Sequence, residues 1–141
     1  CPGVADPGQI LMAEAHLYNI KVVPLVGPSS ILLGLMASGL NGQGFAFNGY
    51  LPIDKKAKLH KLRELDSRVS KTGFTQIFME TPYRNQAMFD DVLKTCNAKH
   101  KLCVAVDITL ESELIKTLDL AEWKAEKINL HKRPCMFLLG K

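Results

Sequence analysis

Three short segments combine backbone-exposing turns with polar side chains that could hold a ligand. The chain opens with Cys1-Pro-Gly-Val-Ala-Asp-Pro-Gly8, a tight loop with two Pro-Gly pairs and one carboxylate, that of Asp6. A second loop, Val26-Gly-Pro-Ser-Ser30, precedes a helical pattern. Unpaired backbone N–H groups at a helix N-terminus, beside two hydroxyls, favour anionic or polar ligand atoms. The alternative for this loop is a simple helix N-cap formed by Ser29 or Ser30.

The third segment, Glu80-Thr-Pro-Tyr-Arg84, follows an apolar run typical of a buried strand. Ligands bind where strands end in αβ sheets, so Glu80 could accept hydrogen bonds from a ligand and Arg84 could hold an anion. The alternative is a helix start, with Thr81 or Glu80 as the cap and Arg84 solvated. Asp107, at the end of the next buried strand, has the same two interpretations.

Several kinds of site are not indicated by the sequence. The four histidines are scattered, and the chain has neither a catalytic-triad spacing nor a phosphate-binding glycine loop. The four cysteines form no C-x-x-C pair, which predicts buried reduced thiols in a cytoplasmic protein and no metal site. No apolar run approaches the ~20 residues of a membrane span. Any catalysis must therefore rest on positioning.

An alternating series of helices and strands must position these segments. Predicted helices cover residues 9–18, 31–38, 55–70, 83–96 and 119–124, and predicted strands cover 21–26, 45–50, 75–79, 101–107 and 134–140. This order predicts an α/β fold with a mixed β-sheet and flanking helices. Asp54 is expected to cap the third helix, and Gly39 to end the second. The second helix is apolar nearly all round, which predicts that it is buried.

The charge is concentrated in the middle of the chain. Residues 1–54 carry one basic and three acidic side chains, residues 55–100 carry ten and five, and residues 101–141 carry seven and six. A basic helix over 55–68 could meet phosphates or substrate carboxylates. A solvated helix face is the commoner explanation of such a run.

Five segments, taken in order, resemble the tetrapyrrole methylase family of S-adenosylmethionine-dependent methyltransferases. They are Cys1-Pro-Gly-Val-Ala-Asp-Pro-Gly8, Val23-Pro-Leu-Val-Gly-Pro-Ser-Ser30, Ala37-Ser-Gly-Leu40, Phe47-Asn-Gly-Tyr-Leu-Pro52 and Ile77-Phe-Met-Glu-Thr-Pro-Tyr-Arg84. The last two are similar to the branch that methylates a cytidine ribose 2′-hydroxyl in small-subunit rRNA. Tyr83 stands where that branch usually has His, and residues 109–118 depart from it. A tetrapyrrole methyltransferase, or a non-catalytic member that binds RNA or a partner, stays as the alternative.

The resemblance implies two αβ domains with S-adenosyl-L-methionine in the cleft between them. Residues 1–26 would then be the end of the N-terminal methylase domain plus a linker, and residues 27–141 the C-terminal methylase domain. The chain would be a fragment that lacks most of the first domain and is inactive alone. The implied partners are rRNA, or an anionic tetrapyrrole, and a second copy in a homodimer, with no membrane.

The resemblance also implies which residues face the ligands. The implied cofactor-binding residues are Gly27, Pro28, Ser29, Ser30, Met79, Glu80, Asp107, Ile108, Pro134 and Cys135. A 2′-hydroxyl acceptor needs a base or a polarising partner, and the candidates are Asp6 and Glu80.

Overall fold

The computed structural model describes residues 1–141 and contains five helices and five strands. The helices are α1 (Gln9–Leu17), α2 (Ser30–Ser38), α3 (Lys55–Thr72), α4 (Asn85–Thr95) and α5 (Leu120–Trp123). The strands are β1 (Phe45–Tyr50), β2 (Thr75–Met79), β3 (Lys101–Val106), β4 (Leu114–Asp119) and β5 (Cys135–Gly140). None of the helices is long and apolar enough to cross a membrane.

The strands form one mixed sheet in the order β1-β2-β5-β3-β4. β1 and β2 are parallel, and each of the other neighbouring pairs is antiparallel. This pattern brings the carboxyl ends of β1, β2 and β3 to the same edge as the amino end of β5. The predicted α/β fold with a mixed sheet is confirmed, and the predicted ligand-binding segments at the strand ends share one edge.

The two faces of the sheet differ in the number of residues that are buried against them. One face packs against α3, α4 and α5 around a core of 18 buried residues. Phe89 meets Trp123 edge-on in this core, and the Trp123 indole N–H donates to the Leu102 carbonyl at 2.7 Å. The other face packs against α2 and buries six residues, namely Leu35, Ile77, Cys103, Ala105, Met136 and Leu138.

The N-terminus of α3 and the C-terminus of α2 are formed by the residues that the sequence signals predicted. Asp54 caps α3, because its Oδ1 accepts a hydrogen bond from the Ala57 amide at 2.8 Å. Gly39 ends α2 and Gly73 ends α3, both in the left-handed conformation that glycine adopts without steric cost.

The predicted strand at 21–26 does not form. No residue from 21 to 28 makes a backbone hydrogen bond to another backbone group, and most of their side chains are exposed. A strand needs a neighbour to pair with, and no sheet edge of this chain lies against these residues. Pro24 and Pro28 also lack the amide that a ladder would use.

The structure differs from the sequence analysis at two further places. Helix α2 is not buried all round: only Gly34, Leu35 and Ser38 are buried, while Met36 is 79% exposed, because just one side of the helix meets the sheet. The strand β4 was not predicted, because its apolar pattern is short and irregular. It forms because β3 offers it an unpaired edge, along which all six β4 residues pair.

Candidate functional site

A cavity of about 400 Å³ opens at the sheet edge where β1, β2 and β3 end and β5 begins. Its lining is mostly apolar. Seven of the ten residues that the family resemblance implies lie on its wall: Ser30, Met79, Glu80, Asp107, Ile108, Pro134 and Cys135. These residues come from four separate parts of the chain, and the topology of the sheet brings them together.

The remaining predicted residues lie beside this cavity or away from it. Pro28 and Ser29 line a neighbouring cavity of about 210 Å³, which shares Ser30 and Met79 with the first and has part of the opening loop on its wall. Gly27 and Asp6 line neither cavity. Apart from Gly27 itself and its two chain neighbours, no heavy atom lies within 4 Å of the place that a Gly27 Cβ would take.

Some wall residues were not predicted from the sequence. Tyr50 and Pro82 lie on the cavity wall, as does Leu110 of the loop between β3 and β4. Tyr50 ends β1 at the same edge as Met79, so the rule that ligands bind at strand ends could have found it. Leu110 had no such signal, because its place depends on the β3–β4 hairpin that the sequence did not reveal.

The Glu80 carboxylate is held in a fixed position. Its side chain is 1% exposed, and its Oε1 accepts hydrogen bonds from the Thr81 amide and from Arg84 Nη2, both at 2.7 Å. Arg84 is therefore paired with Glu80, although its side chain stays 39% exposed, and its Nε is buried without a partner. Glu80 Oε2 accepts no hydrogen bond from the protein, which leaves one carboxylate oxygen available on the cavity wall.

Asp107 joins the walls of the cavity through its side chain and its backbone. Its Oδ2 accepts hydrogen bonds from Arg133 Nε at 2.8 Å and from the Ser112 hydroxyl at 2.9 Å. Its amide donates to the Pro134 carbonyl at 3.0 Å. Its φ of 49° is a strained value for a residue with a side chain, and strain of this kind concentrates at functional sites. Its Oδ1 has no protein partner.

The hydroxyls at the start of α2 are free of protein partners. Ser29 occupies the N-cap position but makes no side-chain capping bond, and Ser30 makes none either. The predicted N-cap position is therefore confirmed for Ser29, but the prediction that a serine hydroxyl makes the capping bond is wrong. The Thr81 hydroxyl does not cap α4, whose N-cap residue is Arg84.

Asp6 organises the opening loop. Its Oδ2 accepts hydrogen bonds from the amides of Gly3 at 3.1 Å and Gly8 at 2.9 Å. These two bonds, the Gly3 bond first, lower the pKa of the Asp6 carboxyl below its ordinary value, because they stabilise the charged form. A carboxylate with a lowered pKa is a weaker base.

The Cys135 thiol on the cavity wall is unreactive. Burial raises the pKa of Cys135 above that of an ordinary thiol, so the group is neutral near pH 7. Burial also raises the pKa of Cys103 and brings that of Cys96 to about 12. Cys135 therefore supplies an apolar surface to the cavity, and not a nucleophile. No group of three or more His, Cys, Asp or Glu residues is placed to hold a metal ion.

The chain is similar in sequence to named methyltransferases. It is 35% identical, over 98% of its length, to "Ribosomal RNA small subunit methyltransferase I" of Vibrio cholerae, of which it covers 48%. It is 32% identical, over 99% of its length, to the protein of the same name from Halalkalibacterium halodurans, of which it covers 47%. The chain thus spans about half the length of the curated relatives it matches. No family model matches it.

Solved structures share the fold at low sequence identity. The conserved hypothetical protein APE0931 from Aeropyrum pernix gives a TM-score of 0.66 at 13% identity, over 99% of this chain and 54% of that one. The methyltransferase CobJ gives 0.62 at 15% identity, over 99% of this chain and 61% of that one. A uroporphyrin-III C-methyl transferase from Thermus thermophilus, complexed with S-adenosyl homocysteine, gives a TM-score of 0.52 at 18% identity, over 99% of this chain and 62% of that one.

The shared fold and the sequence relatives agree with the motifs, which run in the same order along the chain. Over nearly its whole length the chain is homologous to one half of the ribosomal RNA small subunit methyltransferase I proteins, and it shares its fold with the solved methyltransferases CobJ and uroporphyrin-III C-methyl transferase.

Proposed function

We propose that the protein is an S-adenosylmethionine-dependent methyltransferase that acts on ribosomal RNA, and that this chain forms one side of its cofactor site. The observation that carries this proposal is the cavity at the strand ends, where seven of the implied cofactor residues meet. The relatives named as rRNA methyltransferases support the choice of substrate.

The cavity suits the size and chemistry of the proposed cofactor. Ligand pockets usually measure about 300–1,000 Å³, and this one falls within that range at about 400 Å³. Met79, Ile108 and Met136 offer apolar wall surface to an adenine ring and a thioether. The free oxygens of Ser30 and Asp107 can accept hydrogen bonds from ribose hydroxyls or an amine of the cofactor, which leaves Glu80 Oε2 for the substrate.

When bound, the cofactor supplies a methyl group that its sulfonium already activates. The chain's residues then have to orient the two reactants and exclude water, which can account for much of the rate. A ribose hydroxyl must also lose its proton. Asp6 is the weaker candidate base because of its lowered pKa and its place in the loop. We assign that role to Glu80, whose Oε2 is free while Arg84 fixes the rest of the carboxylate.

We further propose that residues 1–26 belong to the end of an N-terminal domain and a linker, and residues 27–141 to the C-terminal domain. No residue from 1 to 29 is buried, and the curated relatives are about twice as long as this chain. A first domain that covered the exposed apolar side chains of this segment would also close the open side of the cavity. We place the protein in the cytoplasm as a homodimer, where it would meet ribosomal RNA.

The direct test measures methyl transfer by the full-length protein that contains this chain. We expect label from S-adenosylmethionine to enter small-subunit rRNA, and Glu80→Gln to slow the transfer while S-adenosylmethionine still binds. Transfer to a uroporphyrinogen substrate instead of RNA would make the tetrapyrrole alternative correct. RNA binding with no transfer to either substrate would indicate the non-catalytic member.

A further inference from the structure

We propose that Tyr83, His131 and Lys132 form a platform at the mouth of the cavity that binds an unpaired nucleotide of the RNA substrate. A base would stack on the Tyr83 ring, and Lys132 would contact a neighbouring phosphate. This proposal rests on the proposed function, because it names how the same site receives its RNA.

The three side chains meet although 48 positions separate Tyr83 from His131 in the sequence. The His131 ring approaches the Tyr83 ring edge-on, with centroids 6.3 Å apart. Lys132 Nζ lies 5.9 Å from the centroid of the same ring, within cation–π distance. Tyr83 is nevertheless 71% exposed, so a large part of its ring is open to solvent.

Backbone contacts place this platform on the rim of the cavity. Pro82, the residue before Tyr83, lines the cavity, and its carbonyl accepts a hydrogen bond from the Lys132 amide at 3.0 Å. Pro134, two residues after Lys132, also lines the cavity. The platform therefore borders the space in which the methyl donor is proposed to bind.

The loop that carries His131 and Lys132 is held in place. The Asn85 side chain is buried, and its Nδ2 donates to the Arg133 carbonyl at 2.6 Å. Lys132 has a φ of 60°, a conformation that side-chain-bearing residues rarely adopt. A loop fixed in a strained conformation beside a cavity is a common feature of ligand-binding sites.

The charges beside the cavity divide into paired and unpaired groups. Arg84 is paired with Glu80 and Arg133 with Asp107, so both arginines neutralise carboxylates of the cavity wall. Lys132 has no acidic partner among the ion pairs of the structure. An exposed aromatic ring beside an unpaired cation is the combination that proteins use for single-stranded nucleic acid, since every base has a face that can stack.

The basic helix α3 is the competing RNA contact, and its side chains suit phosphates better than an unpaired base. Lys58 is paired with Asp91 and Lys61 with Glu64, whereas Lys55, Lys56 and Arg63 have no acidic partner among the ion pairs. The helix carries no Phe, Tyr or Trp among residues 55–72, and its one exposed ring is that of His60. It therefore offers a base less stacking surface than Tyr83 does.

The test uses the full-length protein, a short fluorescent single-stranded RNA taken from small-subunit rRNA, and anisotropy at several salt concentrations. We expect Tyr83→Ala to weaken RNA binding about tenfold or more, the loss that stacking of one base predicts. The matched control Tyr83→Phe keeps the ring and should bind RNA within about twofold of the wild type, a change well below the stacking loss. Calorimetry should show unchanged S-adenosylmethionine affinity in both variants.

Lysine variants test the phosphate contact separately. Lys132→Gln should reduce the logarithmic salt slope by roughly 0.7, the value for one contact to a single strand. Lys71→Gln is the matched control, because Lys71 is exposed at the end of α3 that leads to the opposite edge of the sheet, and it should leave the slope unchanged.

Several outcomes would overturn the platform. The first is an RNA affinity that neither Tyr83→Ala nor Lys132→Gln changes. The second is a loss of RNA affinity that is equal in Tyr83→Phe and Tyr83→Ala. The third is a parallel loss of S-adenosylmethionine affinity, which would show a structural role. If the wild-type protein methylates RNA, and Tyr83→Ala and Lys132→Gln bind and methylate RNA as well as it does, the platform is contradicted but the proposed function is not. Wild-type protein that neither binds nor methylates RNA would instead contradict the proposed function.

Discussion

Helices α1 and α4 are similar in length and both carry apolar side chains, yet they pack differently. Helix α4 buries Met88, Phe89 and Val92 against the core, whereas α1 buries no residue. The difference extends to the segments around them, because all 34 buried residues of the chain lie after residue 29. An apolar pattern therefore predicts a helix, but its burial depends on a surface to pack against.

The largest expected effect comes from a comparison of two variants, one in each helix. Phe89→Ala should lower the free energy of unfolding by about 3–5 kcal/mol, because it leaves a cavity beside Trp123 in the core. Leu11→Ala in α1 should change it by less than about 0.5 kcal/mol, because Leu11 is 69% exposed. Urea unfolding of the 141-residue chain measures both, and similar losses would show that α1 is packed after all.

The second prediction concerns a fusion protein in which a first domain offers α1 a surface to pack against. The 141-residue chain should bind S-adenosylmethionine weakly or not at all. Fusion to the half of the Vibrio cholerae relative that this chain does not match should raise the affinity at least about tenfold, or about 1.4 kcal/mol. Calorimetry measures both proteins. Micromolar binding by the chain alone would contradict a two-sided cleft.

The third prediction uses the thiol that follows α4. Burial raises the pKa of Cys96 to about 12, from an ordinary value of 9.0 that the unfolded chain keeps. Below pH 9 the thiol is protonated in both states and the stability is fully present. Between pH 9 and 12 only the unfolded state loses the proton, so stability falls with rising pH. Cys96→Ala should reduce that fall by about 1.4 kcal/mol per pH unit.

Thiol reactivity provides the matching control. Cys1, in the exposed opening loop, should react with a thiol reagent in the native protein. The three buried thiols should react only after unfolding. A pH dependence that is identical in Cys96→Ala and the wild type would show that this thiol is accessible to water.

The smallest expected effect concerns the junction between the two regions. Ser30→Ala in the full-length protein should weaken S-adenosylmethionine binding by about 1 kcal/mol, the usual value of one hydrogen bond. Its unfolding free energy should not change, because the Ser30 hydroxyl bonds to no other group of the chain. Lower stability with unchanged binding would restore the helix-cap interpretation. Ser29→Ala, measured in the same way, shows which hydroxyl the ligand contacts.

Much of the cavity could be predicted from the sequence, because its walls come from short segments with local signals. The strand ends at Met79 and Asp107 and the loop before α2 were each recognisable, and the structure brings them to one edge. The platform could not be predicted in this way. Tyr83 and Lys132 carry no local signal that they meet, and their contact depends on how β5 enters the sheet.

The sequence by itself determined the features that arise within a few residues. Asp54 caps α3 and Gly39 ends α2 because a side chain or a backbone conformation acts on its immediate neighbours. Only the tertiary structure decided which apolar patterns find a partner. Residues 21–26 have strand composition but no neighbouring edge, whereas Leu114–Asp119 has a weak pattern and becomes a strand because β3 pairs with it. Backbone pairing and burial both require a second surface, and distant parts of the chain supply it.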